Sequence, residues 1–374
     1  MNEKIVLKGG MLVDSNTGYR IVKKDIMIQD GKITAVEKVI NVTDAKVIDI
    51  TGKMISPGFI DAHTHCYTAT SLGVKPDDLG IQRGVTTIFD AGSSGPENFE
   101  DFLNKDIKSS STKVFALLNI ASNGLINTRY ELADLTNIKV EEVIKTYEKY
   151  TDYIVGIKAR ASASTVGELG IKPIQIAKEI AEKLDLPLVV HIGNLPPRIE
   201  DVLNLMGKND VITHCFHGKK NGLLDENGLI KKETKSAIKR GVRFDVGHGS
   251  SSFSFLTARK ALEQGFKPDM ISTDMYNDNM NGPVYSLEMT INKMIAIGLD
   301  FKDAIKAITQ TPAEIFRLDG YGTLAVGSIA DLTVYELKEQ QKTLVDSDEN
   351  IVETSKIVKT EFIIKSGEIK KVTK

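Results

Sequence analysis

The chain has 374 residues, 41% hydrophobic and 26% charged, with a formal net charge of −2. This is the composition of a soluble globular protein with room for one large domain and a small one. It gives no basic footprint for nucleic acid, no apolar run near the ~20 residues that span a bilayer, and no apolar signal core in Asn2–Lys8, so a cytoplasmic protein is expected.

Residues 1–53 read as short strands and turns. Asn16-Thr17-Gly18 and Gln29-Asp30-Gly31-Lys32 are turn signals between alternating segments such as Asp25–Ile28 and Ile33–Val36. From Met54 the pattern changes. Apolar runs at 55–60, 85–89, 114–118, 154–157, 188–190, 211–212, 242–246 and 270–272 alternate with amphipathic stretches such as 140–150, 172–184, 234–239 and 257–264. Near-continuous apolar strands alternating with helices predict a parallel sheet covered by helices, and eight such units predict an α/β fold of the (β/α)8 TIM-like barrel type over 54–319. An open doubly wound sheet is disfavoured because no Gly-rich nucleotide loop follows the first strand.

Two further helical stretches, 285–297 and 302–308, lead to Thr311-Pro312-Ala313-Glu314, which opens another helical turn. From Gly320 short strands return at 322–324, 330–335 and 361–369. The segments 1–53 and 320–374 are therefore expected to form one small β-sandwich domain built from both termini. The mostly polar segment 336–350 reads as a surface loop.

Chemistry is expected at the C-terminal strand ends of such a barrel. In Pro57-Gly58-Phe59-Ile60-Asp61-Ala62-His63-Thr64-His65 the i, i+2 histidines share one face of a strand, and imidazole suits zinc and its first-row neighbours. Strand four ends in Lys158, strand five in His191, strand six in His214 and strand eight in Asp274. Alone, a strand-end histidine is commonly a satisfied polar group, and a strand-end aspartate commonly caps the next helix. Six such residues at one end of a barrel point instead to a metal site. The two cysteines, Cys66 and Cys215, each follow a histidine on different strands; they imply no disulfide framework.

The opening motif, followed in order by Lys158, His191, His214 and Asp274, resembles the amidohydrolase superfamily across essentially the whole chain. Gly84-Val85-Thr86-Thr87 and Gly327-Ser328-Ile329-Ala330-Asp331-Leu332 add to the likeness. The resemblance implies two divalent metal ions, zinc first among them. His63, His65 and Asp274 would hold the more buried ion, and His191 and His214 the more exposed one. Lys158, carrying a CO2-derived carbamate, would bridge them. An ammonium there would repel the metals; a carbamate, an aspartate and a bridging hydroxide would bring two dications from about +4 to about +1.

The sequence also departs from part of that superfamily. Its adenosine- and cytosine-type deaminases carry a glutamate three residues after the strand-five histidine, where this chain has Asn194, and its adenine deaminases generally bridge with glutamate. The pattern is similar to the dihydroorotase-like deacetylase group. It implies hydrolysis of an acyl ester or amide of a small carboxylate-bearing hydroxy or amino acid by a metal-bridging hydroxide, with Asp274 moving the proton. Opening of a cyclic amide (dihydroorotase- or hydantoinase-like), adenine deamination and a non-catalytic scaffold are the alternatives. Arg160, two residues beyond Lys158, is a candidate for the substrate carboxylate, with an ion pair to an acid such as Glu168 as the other reading. His248, just past strand seven, is a candidate substrate contact, and His217 is either a neighbour of the site or a loop residue. The partner expected is a small molecule, with no nucleic acid or membrane; a homo-oligomer is left open.

Overall fold

Positive φ at Asp30 (52°) and Gly31 (72°) folds Val22–Gln29 back onto Lys32–Glu37 at the predicted turn. The computed structural model describes residues 4–126 and 129–373; of the expected N-terminal strand segment, Asn2 and Glu3 lie outside these residues. The strands in chain order are β1 Ile5–Leu12, β2 Val22–Gln29, β3 Lys32–Glu37, β4 Lys46–Asp49, β5 Met54–Pro57, β6 Ile60–Thr64, β7 Thr87–Ala91, β8 Lys113–Asn119, β9 Ile154–Ala161, β10 Leu188–Ile192, β11 Val211–Thr213, β12 Arg243–Asp245, β13 Leu332–Val345, β14 Ile351–Lys365 and β15 Glu368–Lys371.

Both termini join one sheet, in the order β15-β14-β13-β5-β1-β2-β3, with β4 on β1. The joint is β5, parallel to β1 and antiparallel to β13. Ile5, Leu7, Ile26, Ile28, Ile55, Leu332, Val334 and Ile364 form its separate apolar core. The single apolar strand expected over 55–60 is thus two strands, β5 in this sheet and β6 in the barrel. Gly58 makes the break: a Cβ there would lie 2.2 Å from Thr86 Oγ1, and its N–H goes to Asp331 O.

The segment 336–350 is not a loop. β13 runs to Val345 and pairs antiparallel with β14 almost to the tip. Its polar sequence misleads because the ribbon stands out from the core with both faces largely in water, so backbone pairing, not apolar alternation, makes the strands. At the tip, Leu344 and Val352 are buried again, against the barrel.

The second sheet is parallel, β6 through β12 in sequence order among the described residues. The predicted eighth strand closes it without ladder pairing of its own: Met270 bridges Asp245 and Met275 bridges Thr64. Backbone bonds Val246 N–Met270 O, His248 N–Ser272 O, Asp274 N–His63 O and His65 N–Met275 O continue that closure. The strand residues divide by parity. Val189 and Val211 join Ile60, Phe89, Phe115 and Met270 in one cluster; Leu188, Val190 and Ile212 pack with helical residues such as Ile174, Ala177 and Ile180 in another. Burial of both faces explains the continuous apolar runs. Among the described residues no helix is long and apolar enough to cross a membrane.

Candidate metal centre and active-site cleft

A register shift between Asp61 and Thr64 in the β6–β7 pairing accounts for the aim of the histidine pair. Ile60 and Ala62 belong to the cluster shared with alternate residues of the other strands. Strict alternation would turn His63 away from them, and the shift restores it to their side, where His63 and His65 both line the cleft. The cleft, about 200 Å³, is also lined by Lys158, Arg160, His191 and Asp274.

One ligand atom each from His63, His65 and Asp274 lie within 4.8 Å of one another. Asp274 Oδ1 is 3.4 Å from His63 Nε2 and 3.2 Å from His65 Nε2. His214 stands beside them, its ring centroid 5.2 Å from that of His63 and 4.3 Å from that of His191. Lys158 Nζ is 3.4 Å from His63 Nε2. All six residues read from the strand ends therefore meet at one end of the barrel.

The hydrogen bonds fix where the protons are. Thr213 Oγ1 donates to Asp245 Oδ2 at 2.7 Å, so at 2.9 Å it can only accept from His63 Nδ1. His214 Nδ1 lies 2.6 Å from the carbonyl of Gly247, which also only accepts. Both rings thus carry their proton on Nδ1 and turn an unprotonated Nε2 inward. His214 Nε2 is buried with no partner among the described residues, and His63 Nε2 faces a carboxylate oxygen. Inward-facing lone pairs on His63 and His214 beside an anionic oxygen fit a divalent cation. His65 Nδ1 is held in turn by Ser93 Oγ at 2.8 Å.

Burial lowers His63 well below the ordinary imidazole value and His214 to about 3, which keeps both neutral. Burial by itself would raise Asp274, but the surrounding histidines, with a hydrogen bond from His65 among their contacts, hold the carboxyl below its usual range. Burial brings Lys158 down to about 8, so part of it is free amine near neutrality. Asp274 (φ 49°) and His214 (φ 70°) both take left-handed backbone conformations, the kind of strain that surrounding contacts must hold. Asn279 spans the first: its Nδ2 donates to Asp274 O and its Oδ1 accepts from Tyr276 N.

Arg160 reaches the cleft but is engaged. Its NH1 lies 3.2 Å from Oε2 of Glu131, which is 2% exposed; the partner is not Glu168. His248 does not line the cleft; it is fully buried beneath the loop after β12, with Nε2 against Lys293. His217 is buried too, its Nδ1 accepting from Lys219 N, and it faces a neighbouring cavity. Sequence reasoning missed the residues that orient the ligands. Thr213 and Asp245 stand at strand ends like the histidines, and Asp61, within the opening motif, holds Thr273 through both carboxylate oxygens. It also missed Arg129, Lys219 and Tyr276 at the mouth; these come from loops, where strand counting gives no signal.

The amidohydrolase family profile matches residues 54–372. A protein of Enterococcus faecalis named a deacetylase is 40% identical over 353 residues, 93% of this chain and 94% of the relative. A crystal structure described as an adenine deaminase is 38% identical with a TM-score of 0.94, covering 99% of this chain and 100% of that one. Another, described as a dihydroorotase, is 33% identical with a TM-score of 0.92, covering 99% and 98%. Members of the family generally bind divalent metals, in keeping with the His63-His65-Asp274 cluster. This chain, with its TIM-like barrel, its sheet from both termini and its buried histidine–aspartate cluster, belongs to the amidohydrolase family as a metal-dependent hydrolase.

Proposed function

We propose that the protein is a deacetylase that cleaves an acetyl ester or amide of a small carboxylate-bearing hydroxy or amino acid. The observation that carries the hydrolytic reading is the meeting of His63, His65 and Asp274 ligand atoms within 4.8 Å, with the unprotonated Nε2 of His63 turned to the Asp274 carboxylate and that of His214 buried without a partner among the described residues. The name of the Enterococcus faecalis relative supports the acyl group. For the substrate, the support is the charge of the cleft mouth. Arg129, Arg160 and Lys219 line it, and the one acidic residue among its lining residues is Asp274.

In this reading His63, His65 and Asp274 would hold one ion and His191 and His214 the other, and Lys158 would serve as a carbamate. The free amine of Lys158 adds to CO2, forming an N–C bond and losing one proton, and the resulting carbamate would offer an anionic ligand group between the two histidine sets. Divalent ions, zinc by preference, supply Lewis acidity to the scissile carbonyl and acidify the attacking water. Asp274 accepts the proton of that water and returns it to the leaving group. Arg129, for which no acid partner is seen among the described residues, is better placed than the Glu131-bound Arg160 to take the substrate carboxylate. The free, buried state of Cys66 and Cys215 fits a reducing, cytoplasmic setting.

Opening of a cyclic amide is the second reading, favoured by the likeness to the structure described as a dihydroorotase. Asn194, at the cleft where a deaminase of the adenosine type would need a glutamate, weighs against deamination. The test is a product-identified screen of the zinc- or manganese-loaded protein on O-acetyl and N-acetyl acids, cyclic ureides and adenine. Acetate release from the acetyl acids alone is the expected result; ring opening or ammonia release as the fastest reaction would replace this reading.

A further inference from the structure

Two buried polar side chains and a hairpin tip have no part in that chemistry, yet they meet beside Asp274. His248 is fully buried, its ring 4.7 Å from that of Phe253. Its Nδ1 lies 2.9 Å from the carbonyl of Gly249, which can only accept, so Nδ1 carries the proton and Nε2 the lone pair. Lys293, on the helix Leu287–Ala296, fills that lone pair from 2.8 Å and donates again to Pro283 O at 2.6 Å. It is fully buried, with no carboxylate at ion-pair distance among the described residues.

The Gly249 carbonyl receives a second donor, Ser347 Oγ at 2.9 Å, from the tip of the β13–β14 hairpin. That tip is itself fastened to the barrel. Ser347 N donates to Phe253 O, and buried Asp346 accepts from Phe255 N at 2.6 Å while tying Asp348 and Asn350 into the turn. On its other side Gly249 is pressed against the site. It has φ +54°, and a Cβ on it would lie 2.6 Å from Asp274 Oδ2.

We propose that Lys293, His248 and Ser347 are positioning residues that fix the Gly249 carbonyl and so hold the backbone wall against which the Asp274 carboxylate is set. The sheet built from the termini thereby acts on the catalytic cleft through one hydroxyl. The proposal rests on the reading that Asp274 moves the proton.

Steady-state kinetics of the full-length, metal-loaded enzyme on an O-acetylated 2-hydroxy acid test it, with metal content and Tm measured on each variant. Ser347→Ala, His248→Ala and Lys293→Met should each lower kcat on the order of 10-fold or more with KM within about two-fold, the pattern of a misplaced group rather than a lost contact. Metal content should be unchanged. His248→Asn, whose amide N–H can replace Nδ1–H, should recover most of the loss. Wild-type kcat in Ser347→Ala and His248→Ala overturns the proposal, as does a loss of kcat matched by an equal loss of metal or folded protein. Asp274→Asn separates the two ideas. Normal turnover in it, with impaired Ser347, His248 and Lys293 variants, removes the proton-transfer reading; an inactive Asp274→Asn beside fully active variants at those three positions removes the positioning.

Discussion

Lys158 Nζ and His63 Nε2 face each other at 3.4 Å, both almost fully buried in the cleft. His63 Nε2 is unprotonated, and Lys158 has no carboxylate at ion-pair distance among the described residues. A buried ammonium left like this costs several kcal/mol; an anionic carbamate coordinated to cations would not. Lys158→Ala should therefore lose most activity and part of the bound metal, and short-chain carboxylic acids should restore some of both. In 13CO2-equilibrated protein a carbamate carbon resonance should be present and should vanish in the variant. An unmodified amine in fully active enzyme would contradict the bridge.

Metal analysis of protein produced with excess zinc should approach two ions per chain. Chelation should remove activity and lower Tm, because an ion present at 1,000 times its Kd adds about 4 kcal/mol to the folded state. A reproducible value of one ion in active protein would exclude the binuclear arrangement.

Asp274→Asn keeps the shape of the side chain and most of its hydrogen-bonding positions, but removes the proton acceptor. Turnover should fall by a factor on the order of 10² or more while the fold survives. Near-normal turnover with full metal content would place the general base elsewhere.

Arg129 and Arg160 should separate in two assays. Arg129→Met should raise KM for acetylated acids by roughly 10- to 10³-fold, the cost of about 1.5–3 kcal/mol or more of charged hydrogen bonding, and leave a neutral aryl acetate unaffected. Arg160→Met should instead strand Glu131, already raised by burial and lowered mainly by Arg160. With the arginine gone the folded-state pKa of Glu131 rises further above its ordinary 4.5. The native state then holds a proton that the unfolded chain has released, so the Tm deficit should grow as pH rises from about 4.5 through that raised value. A deficit that shrinks with rising pH, or an Arg129→Met effect equal on charged and neutral substrates, would reverse these assignments.

The six strand-end residues were legible because a barrel converts sequence order into position: each parallel strand delivers its last residues to the same rim. His191 and His214 could be read that way from chain order alone, and so could Lys158, although β9 runs three residues beyond it, to Ala161. Their aim could not. It depends on the register shift at Asp61–Thr64 and on hydroxyls and carbonyls from neighbouring strands, such as Thr213 and Gly247, that become neighbours only on folding. His248 lies one strand end from His214 and looked similar, yet the turn at Gly247 and Gly249, both at positive φ, sends it under the loop. The long hairpin was hidden for the opposite reason: a ribbon in water needs no apolar period, and so leaves no trace of one.

β5 needs both β1, made before it, and β13, whose pairing partner Leu332 lies 275 positions beyond Pro57. During synthesis the first strands must wait, one edge unpaired, until nearly the whole barrel has left the ribosome. The clasp between the two ends therefore closes last. A chain interrupted anywhere before β13 would lack both the closing strands and the hydroxyl that reaches Gly249. In this fold, completeness of the polypeptide is itself a condition for assembling the cleft, so partial products should be recognisable to proteases by the open strand edge long before they could turn over a substrate.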